Sequence, residues 1–212
     1  VLRERLGLRC FLGLTATATA ATARDVAQHL GIPPETGLGI RAVAAAIPAN
    51  LLLSVSMDAD RDRALLSLLR EEPFGSWHSI IVYCTRREET ERLAALIRTE
   101  FQGIPPRESH PDSQTAKKTT GKGKIPAFSS ADAYHAGLSA RERRRIQRDF
   151  MSGRVRVLVA TVAFGMGLDK SDVRGVVHYD LPGNFESYVQ EIGRAGRDGA
   201  AARCHLFLEP EV

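Results

Sequence analysis

Short apolar runs separated by amphipathic stretches recur along most of the chain. Ile80-Ile81-Val82-Tyr83-Cys84 predicts a strand, and Glu88 to Phe101 predicts a helix with Leu93, Leu96 and Ile97 on one side. Ala133-Tyr134-His135 predicts a short strand, and Ser139 is placed to cap a helix running through Met151. Val155 to Ala160 and Val173 to Tyr179 read as strands, Phe185 to Arg197 as a helix, and Cys204 to Leu208 as a final strand. Upstream, Cys10 to Leu14 predicts a strand leading into Thr15-Ala16-Thr17-Ala18-Thr19. A helix over roughly Thr22 to Leu30 follows, stopped by Gly31-Ile32-Pro33-Pro34. Leu51 to Met57 predicts a buried strand, and Asp58 a cap for a helix to about Arg70. Strands alternating with helices in this way predict βαβ units, an α/β fold with a mostly parallel sheet flanked by helices. Ligands meet such sheets at the carboxyl ends of the strands. Those ends are Cys84-Thr85-Arg86, His135-Ala136-Gly137, Ala160-Thr161 and Asp180-Leu181-Pro182.

One segment breaks the alternation. Residues 103–131 are rich in proline, glycine, serine and threonine, with Ile104, Ile125 and Phe128 their only large apolar side chains. That composition predicts a mobile surface insertion.

Composition narrows the class. The chain has 212 residues, 43% hydrophobic and 25% charged, the proportions of a folded domain rather than a disordered tail. No apolar stretch approaches the roughly 18 residues of a membrane span, so no membrane partner is expected. The start, Val1-Leu2-Arg3, has neither an initiator Met nor a signal-peptide pattern, which predicts a piece of a longer chain. Cys10, Cys84 and Cys204 are too scattered for a disulfide framework or a metal knuckle; each sits in an apolar run, the setting of a small buried side chain, and no metal site is expected. The formal charge of +4 is uneven: residues 103–131 carry +3 and residues 141–156 carry +5, leaving −4 for the rest. A phosphate-facing strip on a nearly neutral protein would give such a distribution.

Candidate chemistry follows the strand ends. Gly121-Lys122 is followed by Gly123, not Ser or Thr, and lacks a strand before it, so it is not a phosphate loop. No acidic pair of the kind that holds a nucleotide's metal is present. Gly165-Met166-Gly167, between a strand and Asp169, suits either close approach to a phosphate or ribose or a tight packing turn. In Gln190-Glu191-Ile192-Gly193-Arg194-Ala195-Gly196-Arg197-Asp198-Gly199, a continuous helix would put Arg194 and Arg197 on one face, offering bidentate contacts to phosphate oxygens. Arg141 to Arg148 is either a solvated helix face or, with free N–H groups at its start, a nucleic-acid backbone contact. His135 reads as an orienting hydrogen-bond residue, and Phe74 and Trp77 as packing residues.

These runs, taken together, resemble a known family. Leu14 to Ala18 looks like motif III of superfamily 2 helicases, Ile81 to Cys84 like motif IV, and Tyr134-His135-Ala136-Gly137-Leu138 like the turn that follows it. Val159 to Lys170, with its AFGMG and Asp169, resembles motif V in its RecQ form, and Gln190 to Gly199 resembles motif VI. Phe185-Glu186-Ser187-Tyr188, Arg141 to Arg145 and Cys204 to Leu208 are similar to the branch containing the Rothmund–Thomson syndrome helicase.

The resemblance implies a RecA-like P-loop NTPase fold. Residues 1–47 would be the end of a first lobe and 48–212 the second helicase lobe, with the basic insertion at 103–131. It implies ATP-driven, 3′-to-5′ unwinding of DNA in repair, recombination or replication, in the nucleus. ATP and Mg²⁺ would be anchored mainly by a first lobe acting in cis, so this chain alone is expected to be inactive. Arg197 would be the arginine finger, supported by Arg194. Gln190, Gly165, Gly167 and Asp169 would line the nucleotide side. Thr85, Arg86, His135, Gly137 and Thr161 would hold single-stranded DNA, and Thr15, Thr17 and Thr19 would couple the ATP cleft to the DNA path. The rival expectation is a non-catalytic nucleic-acid or protein-interaction module on the same fold.

Overall fold

A computed structural model describes residues 5, 7, 20–32, 47–102, 129–165 and 169–209. The chain divides into two compact units, Val1–Pro48 and Ala49–Val212. In the first, α1 (Ala20–His29) starts two residues before its expected position. It ends at Gly31, whose φ of +65° lets Ile32 N–H reach back to the Ala27 carbonyl. The strand expected over Cys10 to Leu14, and Thr15, Thr17 and Thr19, lie outside the described residues.

The second unit runs β1 (Leu51–Met57), α2 (Arg61–Arg70), β2 (Ile80–Tyr83), α3 (Arg87–Glu100), β3 (Ser129–Tyr134), α4 (Ala140–Met151), β4 (Val155–Ala160), β5 (Gly175–His178), α5 (Phe185–Ile192) and β6 (Ala202–Leu208). The strands form one sheet in the order β1-β6-β5-β2-β4-β3, and each neighbouring pair is parallel. β2, β4 and β5 are buried along their whole length, which explains their continuous apolar runs. Side-chain alternation sorts the core into two layers. Ile81, Leu158 and Val176 pack with Ile146 and Phe150 of α4 and Ile192 of α5. Ile80, Val82, Val157, Val159 and Val177 pack with Leu65 and Leu69 of α2 and Leu93 and Ile97 of α3. Phe74 is buried in the second layer, edge-on to Trp77, as packing residues.

Several boundaries, and the burial of β1, differ from expectation. The cap of α2 is Asp60, whose carboxylate accepts from Arg63 N–H, while Asp58 accepts from the Ser56 hydroxyl. β3 starts at Ser129, so residues 129–131 belong to the sheet; residues 103–128 lie outside the described residues. β5 is shorter than Val173 to Tyr179, and β6 begins two residues early. β1 buries only Leu51; Leu53, Val55 and Met57 are exposed because β1 lies at an edge of the sheet, paired among the described residues with β6 alone. The helix expected to reach Arg197 stops at Ile192, capped by Gly193.

Two buried polar groups fix the packing. Arg156, on β4, is 4% exposed. Its guanidinium donates to the carbonyls of Leu69 (3.0 Å), Phe74 (2.7 Å) and Trp77 (2.9 Å), joining the end of α2 and the turn after it to the sheet. Burial lowers its proton affinity, yet arginine keeps its charge there because the carbonyls replace water. Arg156→Leu strands these carbonyls and is expected to destabilise the unit by about 3 kcal/mol in urea unfolding. His205, on β6, lies between the hydroxyls of Ser54 (2.9 Å) and Ser56 (3.1 Å) on β1. Burial pushes its proton affinity below the ordinary histidine value of 6.5. The unfolded chain therefore binds a proton first, so this contribution to stability is present above about pH 6.5 and declines as the pH falls below it. In thermal melts, His205→Gln is expected to lose less stability than the parent chain between pH 6.5 and about pH 5.

Candidate functional site

Parallel pairing gathers one group of candidate residues along the carboxyl edge of the sheet, while the loop carrying Arg197 is anchored beside the starts of β1, β5 and β6. The first group sits at the ends of β2, β4 and β3, which are neighbours. Thr85 and Arg86 follow β2, Thr161 follows β4, and His135 and Gly137 follow β3. Thr85 donates both its N–H (2.8 Å) and its hydroxyl (3.0 Å) to Asp180, across the crevice where the connections leaving β2 and β5 diverge. Thr161 is buried, with its N–H on the Tyr134 carbonyl.

His135 is also buried. Its Nδ1 accepts from Gly137 N–H (3.2 Å), so Nε2 carries the proton and donates to Glu91 (2.9 Å). That ring holds the turn in shape, an orienting role. A Cβ on Gly137 would press on the ring and on the Arg87 guanidinium, so the strand end lies directly beside the start of α3.

The two helix starts here differ. α4 begins with a capping box: the Ser139 hydroxyl accepts from Glu142 N–H, while the Glu142 carboxylate accepts from Ser139. These hydrogen bonds hold the Glu142 carboxyl below its ordinary range. The capping box takes up the Ser139 and Glu142 amides and sets the Glu142 carboxylate beside the helix start, where its negative charge opposes a phosphate. α3 begins at Arg87, and its cap residue Arg86 makes no side-chain capping hydrogen bond, so the uncapped helix start lies beside Arg86 and Arg87.

The arginine segment 141–156 is less basic at the surface than its formal +5. Arg156 is buried in the fold. Arg145 pairs with Asp132 and Asp149, Arg154 with Asp149, and Arg148 lies 3.6 Å from Asp149. Arg141 and Arg144, both exposed and three residues apart on α4, remain as outward charges.

The second group surrounds the Arg194–Arg197 segment. Because α5 ends at Ile192, the two arginines do not share a helix face. Arg194 is 7% exposed and packs against Gly165, where any Cβ would collide with its guanidinium. Its Nε has no hydrogen-bond partner, nor does Nδ1 of buried His178. His178 Nε2 meets Glu191 at 2.8 Å. Tyr83 stacks on His178 and donates to the Phe164 carbonyl (3.2 Å), with Arg194 beside its hydroxyl. This buried chain ties the Gly165 turn to the end of α5. The close packing of Gly165 on Arg194 gives the turn a packing function. Gly167 lies outside the described residues, and Gln190 is exposed on α5.

Arg197, by contrast, projects outward. Its side chain is 37% exposed, with Nη1 3.3 Å from the exposed Asp169 carboxylate. The loop beneath it is anchored repeatedly. Arg174 grips Asp198 with two parallel hydrogen bonds, holding that carboxyl below its ordinary range. Gly196 N–H donates to the Val173 carbonyl (2.9 Å), and the Asn50 amide donates to the carbonyls of Gly196 and Ala200 (2.9 Å each). Asn50 and Arg174 escape sequence reasoning because each lies far along the chain from its partner; Asp198, directly after Arg197, was the readable half of its pair.

A third cluster, Cys84, Glu89 and Asp180, brings three possible ligand atoms within 4.8 Å of one another. Burial first, then the neighbouring carboxylates, push the Cys84 thiol far up, and burial and Asp180 raise Glu89. A protonated thiol is a poor metal ligand. Cys84 and Cys204 are both free and buried.

Comparison with known proteins now bears on this geometry. Residues 112–199 match the family model described as helicase conserved C-terminal domain. The chain is 56% identical over 211 residues to ATP-dependent DNA helicase Q4 of Homo sapiens, an alignment covering 100% of this chain and 16% of that protein. It is 36% identical to ATP-dependent DNA helicase RecQ of Pasteurella multocida, over 94% of this chain and 26% of that protein. Over essentially its whole length the chain is thus similar to RecQ-family helicases, and the Q4 likeness agrees with the branch suggested by Phe185 to Tyr188 and Arg141 to Arg145. Among solved structures, a variant of Dbp5 from S. cerevisiae, bound to RNA and ADP BeF3, superposes with a TM-score of 0.63 at 23% identity, covering 93% of this chain and 44% of that one. The fold is thus that of a helicase RecA-like C-terminal lobe. The chain spans about a sixth of the length of human helicase Q4.

If Arg141 and Arg144 contact phosphates, the double variant Arg141→Ala/Arg144→Ala should weaken oligothymidylate binding. It should also flatten the plot of log K against log salt by about 1.4, at roughly 0.7 per lost contact. An unchanged slope would place the phosphate contacts elsewhere.

Proposed function

We propose that this chain is the second RecA-like lobe, with the end of the first, of an ATP-dependent 3′-to-5′ DNA helicase acting in repair, recombination or replication. A nuclear location goes with that reading, because DNA is the track. The observation that carries it is the Arg197 loop: a solvent-facing guanidinium on backbone anchored by Arg174, Val173 and Asn50. A finger that meets a phosphate supplied by another lobe needs a fixed base and a tip that lies at the surface.

In this reading Arg197 exchanges Asp169 for the γ-phosphate when the lobes close, neutralising charge that develops as the bond to the leaving phosphate breaks. Arg194 supports it indirectly, by holding the Gly165 turn against the end of α5. Gln190, Gly165, Gly167 and Asp169 lie on the nucleotide side. Mg²⁺ falls to the first lobe, because Asp198 is already gripped by Arg174 and Asp169 faces Arg197. Single-stranded DNA passes over Arg86, Arg87 and the open start of α3, beside Gly137. Thr85, His135 and Thr161 shape that edge from beneath. Thr15, Thr17 and Thr19 remain proposed as the coupling segment. Turnover would depend on closure, since the arginine and the phosphate anchor lie on different lobes.

In the intact two-lobed protein, Arg197→Ala is expected to lower DNA-stimulated ATP turnover by about 10³ while ATP binding persists. Turnover equal to the parent protein's would overturn the finger assignment and favour a binding module without catalysis.

A further inference from the structure

Asn50 sits at the start of the second unit, immediately before β1. Its side-chain amide nitrogen donates to the carbonyls of Gly196 and Ala200, each at 2.9 Å, and its own carbonyl accepts from Ala202 N–H, also at 2.9 Å. Gly196 and Ala200 stand on either side of Arg197 in the chain, and Ala202 begins β6. One residue therefore fixes both shoulders of the arginine loop and the strand into which the loop runs. The chemistry is specific. Both partners are carbonyl oxygens, so only a group with two hydrogens on one atom satisfies both, and the orientation of the amide is set by its partners. Gly196 is shaped for the same contact: its φ is +61°, and a Cβ there would run into the Asn50 amide and the Ala200 carbonyl.

We infer that Asn50 is a positioning residue for Arg197, setting where the guanidinium can meet a phosphate while touching no nucleotide itself. This rests on the reading of Arg197 as the finger. Asn50 acts only through the loop, so its loss affects the transition state more than the binding of either ligand.

The test uses the intact two-lobed protein with ATP and an oligothymidylate, comparing Asn50→Ala, Asn50→Asp, Arg197→Ala and the combined variants, with the Tm of each. Both Asn50 variants should lower kcat at least tenfold, with KM for ATP and Kd for the oligonucleotide within about twofold of the parent. Asn50→Asp preserves the shape but sets a carboxylate against two carbonyl oxygens, so it should be no better than Asn50→Ala. On the Arg197→Ala background neither should cause further loss. Near-parental kcat in Asn50→Asp would show that shape alone matters and would overturn the inference. Additional loss on the Arg197→Ala background, or a kcat fall matched by weaker ATP or DNA binding, would overturn it equally. The two readings fail separately: an inactive Arg197→Ala beside active Asn50 variants removes only the role of Asn50, whereas a fully active Arg197→Ala removes both.

Discussion

Parallel pairing is the constraint on which the rest depends. Strands that all run one way must be joined by crossovers, and these place α2 and α3 on one face of the sheet and α4 and α5 on the other. The central strands are then sealed from water, and their carboxyl ends emerge along a single edge. Thr85 and Asp180, 95 positions apart, become neighbours there with no chain wandering to reach one another. The same sealing makes any polar group on a central strand a structural commitment. Arg156 is tolerated on β4 because three carbonyls meet it, and in meeting it they lose the freedom to rearrange.

The two arginines of the Arg194–Arg197 segment show how one short stretch divides its work. Three residues apart, they differ in almost everything: Arg194 lies under Gly165 in a buried polar chain with Tyr83, Glu191 and His178, whereas Arg197 stands on an anchored loop facing solvent. The division follows from the end of α5. Had the helix continued, both guanidiniums would have faced the same way. Gly193 ends it, and Gly196, at a positive φ, turns the chain so that the second arginine points outward.

Much of this was legible in the residues, and the misses have physical causes. Strands β2 and β4 and helix α4 fall where the apolar runs and the Ser139 cap put them, because local pattern and tertiary burial agree there. The families of residues at the strand ends were readable for the same reason. The end of α5 was not: Gly193 caps the helix at Ile192, but a glycine among Arg194 and Ala195 reads equally well as a helix interior, and the anchoring of the following loop to Val173 and Asn50 is invisible in the local residues. The weight of the basic segment was overstated because charge counted along a sequence ignores partners. Asp132 and Asp149 draw Arg145 and Arg154 back onto the fold, and only the three-dimensional placement shows it.

The capping box on α4 has a consequence for how a strand could move across this edge. The Glu142 carboxylate stands at the start of α4, where its charge opposes a phosphate that would otherwise approach the helix amides. The positive charge that remains on this helix is carried by guanidiniums at the ends of long, rotatable stems. A fixed nest holds one phosphate in one place and must be broken to release it. Swinging side chains can pass a phosphate to the next in line with small barriers between positions.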